Sequence, residues 1–345
     1  MAVTHWYFLL LPLVVLAVMS LLRFRGCSFQ TGGIPGQPDV YGTAVKANNP
    51  TAWFRLEELI GPTAQNEEGP PNGTYSTASS PLSAGNSLWH SQAVPTTALK
   101  FAINNPSLVP LESQDPFDFS VRFQGSQVVA NVPALLNATE FTLEALVFAD
   151  WDLTVLGNYY CVMELAGIPH PATNVKGAGF GLYAGPSDTT NPNSPYSWQA
   201  WMGNGDTFYR LEEVKPYTPN DPANPNPGPN VEKDDATYLA FTFSQPLGQA
   251  FLFLFTQDRD LDYVAYQLTP LTYAPVVAGM ASQGLQIGAT AQGPLFTPPA
   301  PTPIPVLYPF IGQMANVAIY NNQVLTESQL RQHAIAAFFL NSPST

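Results

Sequence analysis

The sequence predicts an all-β fold, an antiparallel sandwich of two sheets, and three observations lead to this prediction. Short apolar runs are bounded by Gly, Pro, Asn and Asp, which is typical of many short strands joined by turns. The 345 residues include 35 prolines and 25 glycines, which suits rigid loops between strands. Hydrophobic residues make up 45% and aromatic residues 12%, so the chain can bury a core and is not of the disordered class.

The strand segments can be located from their composition. Segment 141–148 and segment 250–256 have the strongest strand character, and Phe251-Leu252-Phe253-Leu254-Phe255 is apolar on both faces, as in a strand buried on both sides. We therefore expect 141–148, 238–243 and 250–256 to be central strands. The full set of predicted strands is 51–56, 120–123, 141–148, 159–165, 179–183, 197–202, 238–243, 250–256, 263–268, 284–287 and 312–320.

Within the sandwich domain one helix is predicted, near the C-terminus. Thr326-Glu327-Ser328-Gln329 has the pattern of a capping box, in which the first and fourth residues satisfy each other's backbone N–H groups. Leu330, Ala334, Ala337 and Phe338 follow at helical spacing. We expect a short terminal helix that packs on the sandwich, with His333 on its packed side.

The N-terminal segment predicts attachment to a membrane. Residues 6–22 form an uncharged apolar run of 17 residues, at the lower limit for a membrane-spanning helix and also compatible with a secretory signal. We predict a signal-anchor or transmembrane helix in 1–26, a Gly/Pro linker in 27–40, one sandwich domain in 41–340 and a tail in 341–345. The domain is expected outside the cytoplasm, in the periplasm, on a cell surface or on a virion, and secreted if the segment is cleaved. Arg23 and Arg25 favour the opposite orientation, so the orientation stays open.

Charge and cysteine content limit the possible partners. The formal net charge is −13, which excludes the electrostatic basis of nucleic-acid binding and disfavours an anionic lipid surface. Charged residues make up 11% of the chain, well below the roughly 25% of average proteins. Cys27 and Cys161 are too few for a disulfide framework and lack the spacing of a zinc site.

Three segments in order resemble the laminin-G-like, concanavalin A-like jelly-roll family. The first is Ala52-Trp53-Phe54-Arg55-Leu56-Glu57-Glu58 with Asn72-Gly73-Thr74-Tyr75, which is similar to the opening of that family. Phe141-Thr142-Leu143-Glu144-Ala145 is similar to a middle strand, and Phe310-Ile311-Gly312-Gln313-Met314 with Val317-Ala318-Ile319-Tyr320 is similar to the closing strand. The resemblance implies a jelly-roll sandwich. The family often has Asp-Glu where this chain has Ala315-Asn316, which puts a ligand role for that position in doubt.

The resemblance also bears on catalysis. Glycoside hydrolases of this fold use two facing carboxylates, usually within a Glu-x-Asp-x-x-Glu strand, and this chain has no such run. Glu144 and Glu164 are isolated carboxylates on predicted strands. We therefore expect a protein that is not an enzyme, with a glycoside hydrolase as the disfavoured alternative.

Candidate binding residues come from an aromatic-rich stretch beside a long loop. Tyr196, Trp198, Trp201 and Tyr209 are predicted to contact a ligand, because sugar-binding and protein-binding surfaces both use exposed aromatic faces. Alternation along a strand would instead put about half of these rings in the core.

A metal site is the second candidate. Asp258, Asp260 and Asp262 alternate and could present three carboxylates to Ca²⁺, which binds oxygen ligands. The stretch also falls where two predicted strands must turn, so a solvated hairpin tip is the competing interpretation.

Two functional hypotheses follow. The first is a membrane-tethered, non-catalytic module that binds carbohydrate or a protein partner. The second is a structural subunit of a surface layer, filament, virion or membrane complex, because the chain has little charge and long Pro-rich loops in 185–235 and 293–309. A homo- or hetero-oligomer is possible under either hypothesis.

Overall fold

The computed structural model describes residues 39–58, 63–77, 101–106, 119–124, 126–130, 138–149, 159–167, 178–186, 196–205, 208–212, 236–256, 262–267, 272–276, 284–289 and 310–338. The predicted apolar segment, the linker up to residue 38, most of the two long loops and the tail 341–345 lie outside these residues. Within them, neither helix is long and apolar enough to cross a membrane.

The described chain forms two antiparallel sheets and two helices. The helices are α1 (Val40–Ala47) and α2 (Glu327–Phe338). The strands are β1 (Ala52–Phe54), β2 (Thr63–Ala64), β3 (Gly73–Thr77), β4 (Phe101–Pro106), β5 (Phe119–Gln124), β6 (Ser126–Ala130), β7 (Glu140–Ala149), β8 (Tyr160–Gly167), β9 (Ala178–Pro186), β10 (Tyr196–Gly203), β11 (Phe208–Glu212), β12 (Ala236–Ser244), β13 (Gln249–Thr256), β14 (Asp262–Gln267), β15 (Leu285–Ile287) and β16 (Ile311–Asn321).

The predicted fold class is confirmed: the chain is all-β, a two-sheet antiparallel sandwich with a C-terminal helix. Sheet A has the strand order β14-β13-β12-β7-β16-β5-β4, and β1 also pairs with β16. Sheet B has the order β11-β10-β9-β8-β15-β6-β3-β2. Every segment predicted as a strand contains one. The sequence prediction missed β2, β3, β4, β6 and β11, which are short or interrupted by polar residues.

Two apolar layers stabilise the sandwich, one on each side of sheet A. The inner layer lies between the sheets and includes Phe141, Leu143 and Phe241, all fully buried. The outer layer lies between sheet A and the helices and includes Phe253 and Phe255. Because β13 sends Leu252 and Leu254 inward and its phenylalanines outward, its two apolar faces are both used.

Helix α1 was not predicted from the sequence. Asp39 caps its N-terminus, since the Asp39 carboxylate accepts a hydrogen bond of 2.6 Å from the Gly42 N–H. The same carboxylate pairs with Arg55 at 2.7 Å, which fixes the start of α1 to the chain that follows β1. Because eight residues give a weak periodic signal, this helix depends on its cap and on packing of Tyr41 and Val45 in the outer layer.

Candidate functional site

Strand β10 separates the predicted binding aromatics between two faces of sheet B. Trp198 is 1% exposed and belongs to the layer between the sheets, so its ring is not available to an external ligand. Trp201 lies on the opposite, outer face. Tyr209 pairs with Met202 and therefore shares the face of Met202, not of Trp201, and is partly exposed. The backbone of Tyr196 begins β10, but its side chain lies outside the described part of the structure.

The register of sheet B aligns four residues across its outer face. Glu164 on β8 lies opposite Gly181 on β9, Gly181 lies opposite Trp201 on β10, and Trp201 lies opposite Arg210 on β11. At about 4.8 Å per strand this row is roughly 14 Å long. Gln286 on β15 lies opposite Glu164 and extends the row by one strand. We call the residues from Gln286 to Arg210 the sheet B row.

The indole of Trp201 is held in one orientation. Its Nε1–H donates to Oε1 of Gln199 at 3.1 Å. The amide nitrogen of Gln199 donates to the Gly185 carbonyl and to the Ser197 hydroxyl, both at 3.1 Å. Because each end of the Gln199 amide has partners of fixed polarity, neither the amide nor the indole can turn without losing hydrogen bonds.

Two glycines on β9 let tyrosine rings lie flat on the outer face. A Cβ atom at Gly181 would stand 2.5 Å from the ring of Tyr183, and one at Gly185 would stand 2.3 Å from the ring of Tyr159. The rings therefore cover the bare backbone of these glycines. Tyr159 also meets Trp201 edge to face, with ring centroids 6.1 Å apart.

Arg210 and Glu164 are charged residues of the described part of this face. The guanidinium of Arg210 lies over the Trp201 ring, 5.6 Å from its centroid, a favourable cation–π geometry. Burial, with a smaller effect of Glu164, raises the pKa of the Cys161 thiol well above its usual value. Cys161 is therefore a protonated apolar group of this face and not an activated nucleophile.

Comparisons with known proteins give structural similarity only. No family model matches the chain. No curated protein matches it. Among solved structures, the botulinum neurotoxin serotype D binding domain aligns with 83% of this chain and 51% of its own, at 10% identity and a TM-score of 0.41. The VIP36 exoplasmic/lumenal domain aligns with 61% of this chain and 82% of its own, at 11% identity and a TM-score of 0.31.

A third solved structure is similar over part of the sandwich. A Bacteroides ovatus protein provisionally assigned as carbohydrate-binding aligns with 62% of this chain and 46% of its own, at 18% identity and a TM-score of 0.37. The chain thus spans about half the length of the Bacteroides and botulinum chains. At these identities and TM-scores, nothing about the ligand of this chain follows from its neighbours.

The two isolated carboxylates lie on opposite outer faces of the sandwich. Glu144 alternates with the inward Leu143 and Ala145 of β7, so it projects from sheet A, whereas Glu164 projects from sheet B. These two residues cannot face each other across one cleft, which is the arrangement that glycoside hydrolysis needs.

Glu144 instead forms a buried polar cluster with helix α2, which the sequence did not predict. Tyr238 Oη–H donates to Oε2 of Glu144 at 2.5 Å and Tyr320 Oη–H donates to Oε1 at 2.7 Å. His333 Nδ1 lies 2.9 Å from Oε2. A polar residue in the middle of an apolar strand was the available signal, but strand alternation cannot tell which distant residue covers it.

Burial and hydrogen bonding shift the pKa values of Glu144 and His333 in opposite directions. Burial alone would raise the pKa of Glu144, but His333 and the two tyrosine hydroxyls together hold the pKa below its usual value. Burial would lower the pKa of His333, and Glu144 reverses this and raises the pKa. Burial and the Glu144 charge both raise the pKa of Tyr238.

The predicted metal site stays a prediction. Asp258 and Asp260 lie outside the described residues, and Asp262 is the first residue of β14, with a side chain that is likewise outside them. Over the described parts of the chain, no three His, Cys, Asp or Glu side chains come together as a metal-binding group would.

Proposed function

We propose that this chain is a non-catalytic, membrane-tethered module that binds carbohydrate on the outer face of sheet B. The sheet B row is the observation that supports the proposal. It places an oriented indole between a carboxylate and a guanidinium on one face.

This combination suits the chemistry of a sugar ring. A pyranose has an apolar face of C–H groups, which packs on an aromatic ring, and a rim of hydroxyls, which need donors and acceptors. Trp201 offers the ring, and Glu164 and Arg210 offer an acceptor and donors in line with it. The ring is 7% exposed under the Arg210 guanidinium, so a sugar would pack on it only after the Arg210 side chain moves aside. Because the Gln199 amide fixes the indole, the protein would lose little conformational entropy when a ligand binds.

The ligand should enter from the β11 side of the face. Arg210 is partly exposed there, whereas Trp201 is 7% exposed and Glu164 4%.

Charge favours a neutral glycan over a polyanion. The chain carries a formal charge of −13, and its long-range field repels anionic polymers. The row itself contains Glu164 as well as Arg210, so it has no excess of cations to offset that field.

Binding of a panel of neutral and acidic oligosaccharides by calorimetry tests the proposal. We expect a neutral glycan to bind, and Arg210→Gln and Trp201→Phe each to weaken binding by about tenfold. Leu247→Ala is the matched control, because Leu247 is 62% exposed in the β12–β13 turn of the other sheet. Thermal melts confirm that each variant is folded.

Two outcomes would overturn the proposal: no glycan of the panel binds, or both row variants bind as tightly as the parent protein. A large native particle of many copies without glycan binding would favour the structural-subunit hypothesis instead.

A further inference from the structure

Helices α1 and α2 meet through side chains on the outer face of sheet A. The contact is made by Asn48, which follows the end of α1, and by Gln329 and His333 of α2. His333 is also bound to Glu144 of β7, so one imidazole joins both helices to the sheet.

The direction of the hydrogen bonds in this contact is fixed at both ends by backbone groups. At one end the Thr326 N–H donates to Gln329 Oε1 at 2.9 Å, so the other end of that amide, Nε2, donates to Asn48 Oδ1 at 2.5 Å. At the other end Asn48 Nδ2 donates to the Ala44 carbonyl at 3.2 Å. A backbone N–H cannot accept and a carbonyl cannot donate, so neither amide can be reversed.

This direction determines the protonation state of His333. Asn48 Nδ2 lies 2.8 Å from His333 Nε2 and can only donate, so Nε2 is the acceptor. The ring hydrogen is therefore on Nδ1 and points to Oε2 of Glu144. The structure describes a neutral imidazole between a donor and a carboxylate.

The surroundings allow the ring to accept a second proton. The titratable groups that face it are Glu144 from β7, Tyr238 from β12 and Tyr320 from β16, and Tyr41 of α1 lies close enough to the two tyrosines to affect them. Lys46 of α1 is engaged elsewhere, over the Trp53 ring. Glu144 stabilises the imidazolium, and the Ala44 carbonyl is a further acceptor for the protonated ring.

We propose that His333 is a proton-controlled joint between the first and last helices of this domain. A proton from solvent adds to the Nε2 lone pair, and the new N–H then faces the N–H of Asn48, so that bond is lost. The Nε2–H group then donates to the Ala44 carbonyl in place of Asn48 Nδ2. Because Asn48 moves away, Gln329 Nε2 loses its acceptor, Asn48 Oδ1. As the pH falls, the hydrogen bonds that join α1 to α2 through Asn48 and Gln329 are therefore lost. The hydrogen bond from His333 of α2 to Glu144 becomes an ion pair.

Nitrogen NMR of the ¹⁵N-histidine-labelled full chain tests the protonation state directly. We expect the His333 ring, identified by its absence in His333→Asn, to carry its hydrogen on Nδ1 at high pH and on both nitrogens at low pH. Backbone amide exchange in α1, corrected for intrinsic rates, should rise about tenfold relative to α2 across the same transition, because one or two hydrogen bonds are lost. A neutral ring with its hydrogen on Nε2, or α1 exchange that does not follow the titration, would overturn the proposal.

Asn48→Asp provides the sharper variant. A carboxylate accepts from both Gln329 and a protonated Nε2, so the His333 titration midpoint should rise by about one to three pH units and α1 should be held more tightly in acid. The effect of pH on α1 is thus reversed in sign. Glu327→Gln on the exposed side of the same helix is the control and should leave the midpoint and α1 exchange as they are in the parent protein. An Asn48→Asp protein with the parent's pH dependence would also contradict the proposal.

Discussion

The Nδ1 atom of His333 lies 2.9 Å from Oε2 of Glu144 in the interior, although 189 positions separate the two residues in the chain. Glu144 is fully buried, and among its hydrogen-bond partners in the described structure only His333 can take up a positive charge. This pair therefore couples the stability of the sandwich to the docking of α2, and its removal should be costly.

We predict that Glu144→Ala lowers the free energy of unfolding by about 3–5 kcal/mol, because three buried donors lose their acceptor. Urea denaturation followed by tryptophan fluorescence measures this change. Glu327→Ala, which removes the exposed partner of Arg331 on the same helix, should cost less than about 1 kcal/mol. Equal effects of the two substitutions would show that the buried cluster contributes no more to the free energy of unfolding than the exposed ion pair does.

The same pair should give the stability a defined pH window. Glu144 has a lowered pKa, so its contribution is present above the unfolded value of 4.5 and is lost as the pH falls through the folded value. His333 has a raised pKa, so its contribution is present below 6.5 and is lost as the pH rises through the folded value. Stability from the pair should be greatest between these limits, and His333→Gln should flatten the profile measured by urea denaturation.

Phe141 should be among the most sensitive core positions. Its ring is fully buried and meets the rings of Phe180, Phe241, Phe243 and Tyr273 at centroid distances of 4.8 to 5.9 Å. Phe141→Ala should cost about 3–5 kcal/mol in chemical denaturation. Leu247→Ala, at an exposed turn, should stay within about 0.5 kcal/mol of the parent protein.

Substitutions at two glycines with positive φ distinguish the stability cost of backbone strain from that of a steric clash. Gly69 has φ +99° and open space around it, whereas a Cβ at Gly312 would stand 2.1 Å from the Phe148 carbonyl oxygen. Gly69→Ala should cost about 1–2 kcal/mol from strain alone. Gly312→Ala should cost at least twice as much, because neighbouring strands β7 and β16 must also move apart. Similar melting temperatures for the two variants would contradict the predicted clash.

Residues 6–22 are expected to keep the protein with membranes. Fractionation of native cells or particles, with N-terminal sequencing of the recovered protein, checks this prediction. A soluble protein that begins near Cys27 would show a cleaved signal, and a fully soluble protein that begins at Met1 would contradict membrane association.

The candidate site shows where prediction from sequence ended. Trp198 and Trp201 have the same side-chain chemistry and lie three positions apart, so composition assigns both to one surface. The strand period places them on opposite faces, and the choice of face depends on which side sheet A covers. Arg210 and Glu164 were not predicted as partners of Trp201, because strand register across β8 to β11 brings them into line and no local pattern encodes that register.

The sequence by itself determined the β-sandwich, the two-sided burial of β13 and the capped helix α2, because each follows from the period and end signals of a local segment. Thr326 and Gln329 do form the expected capping pair. Only the tertiary structure decided the positions of Glu144 and His333, the short helix α1 and the row on sheet B. Those depend on contacts between residues far apart in the chain, and the energy of such a contact is not carried by either residue until packing excludes water from both.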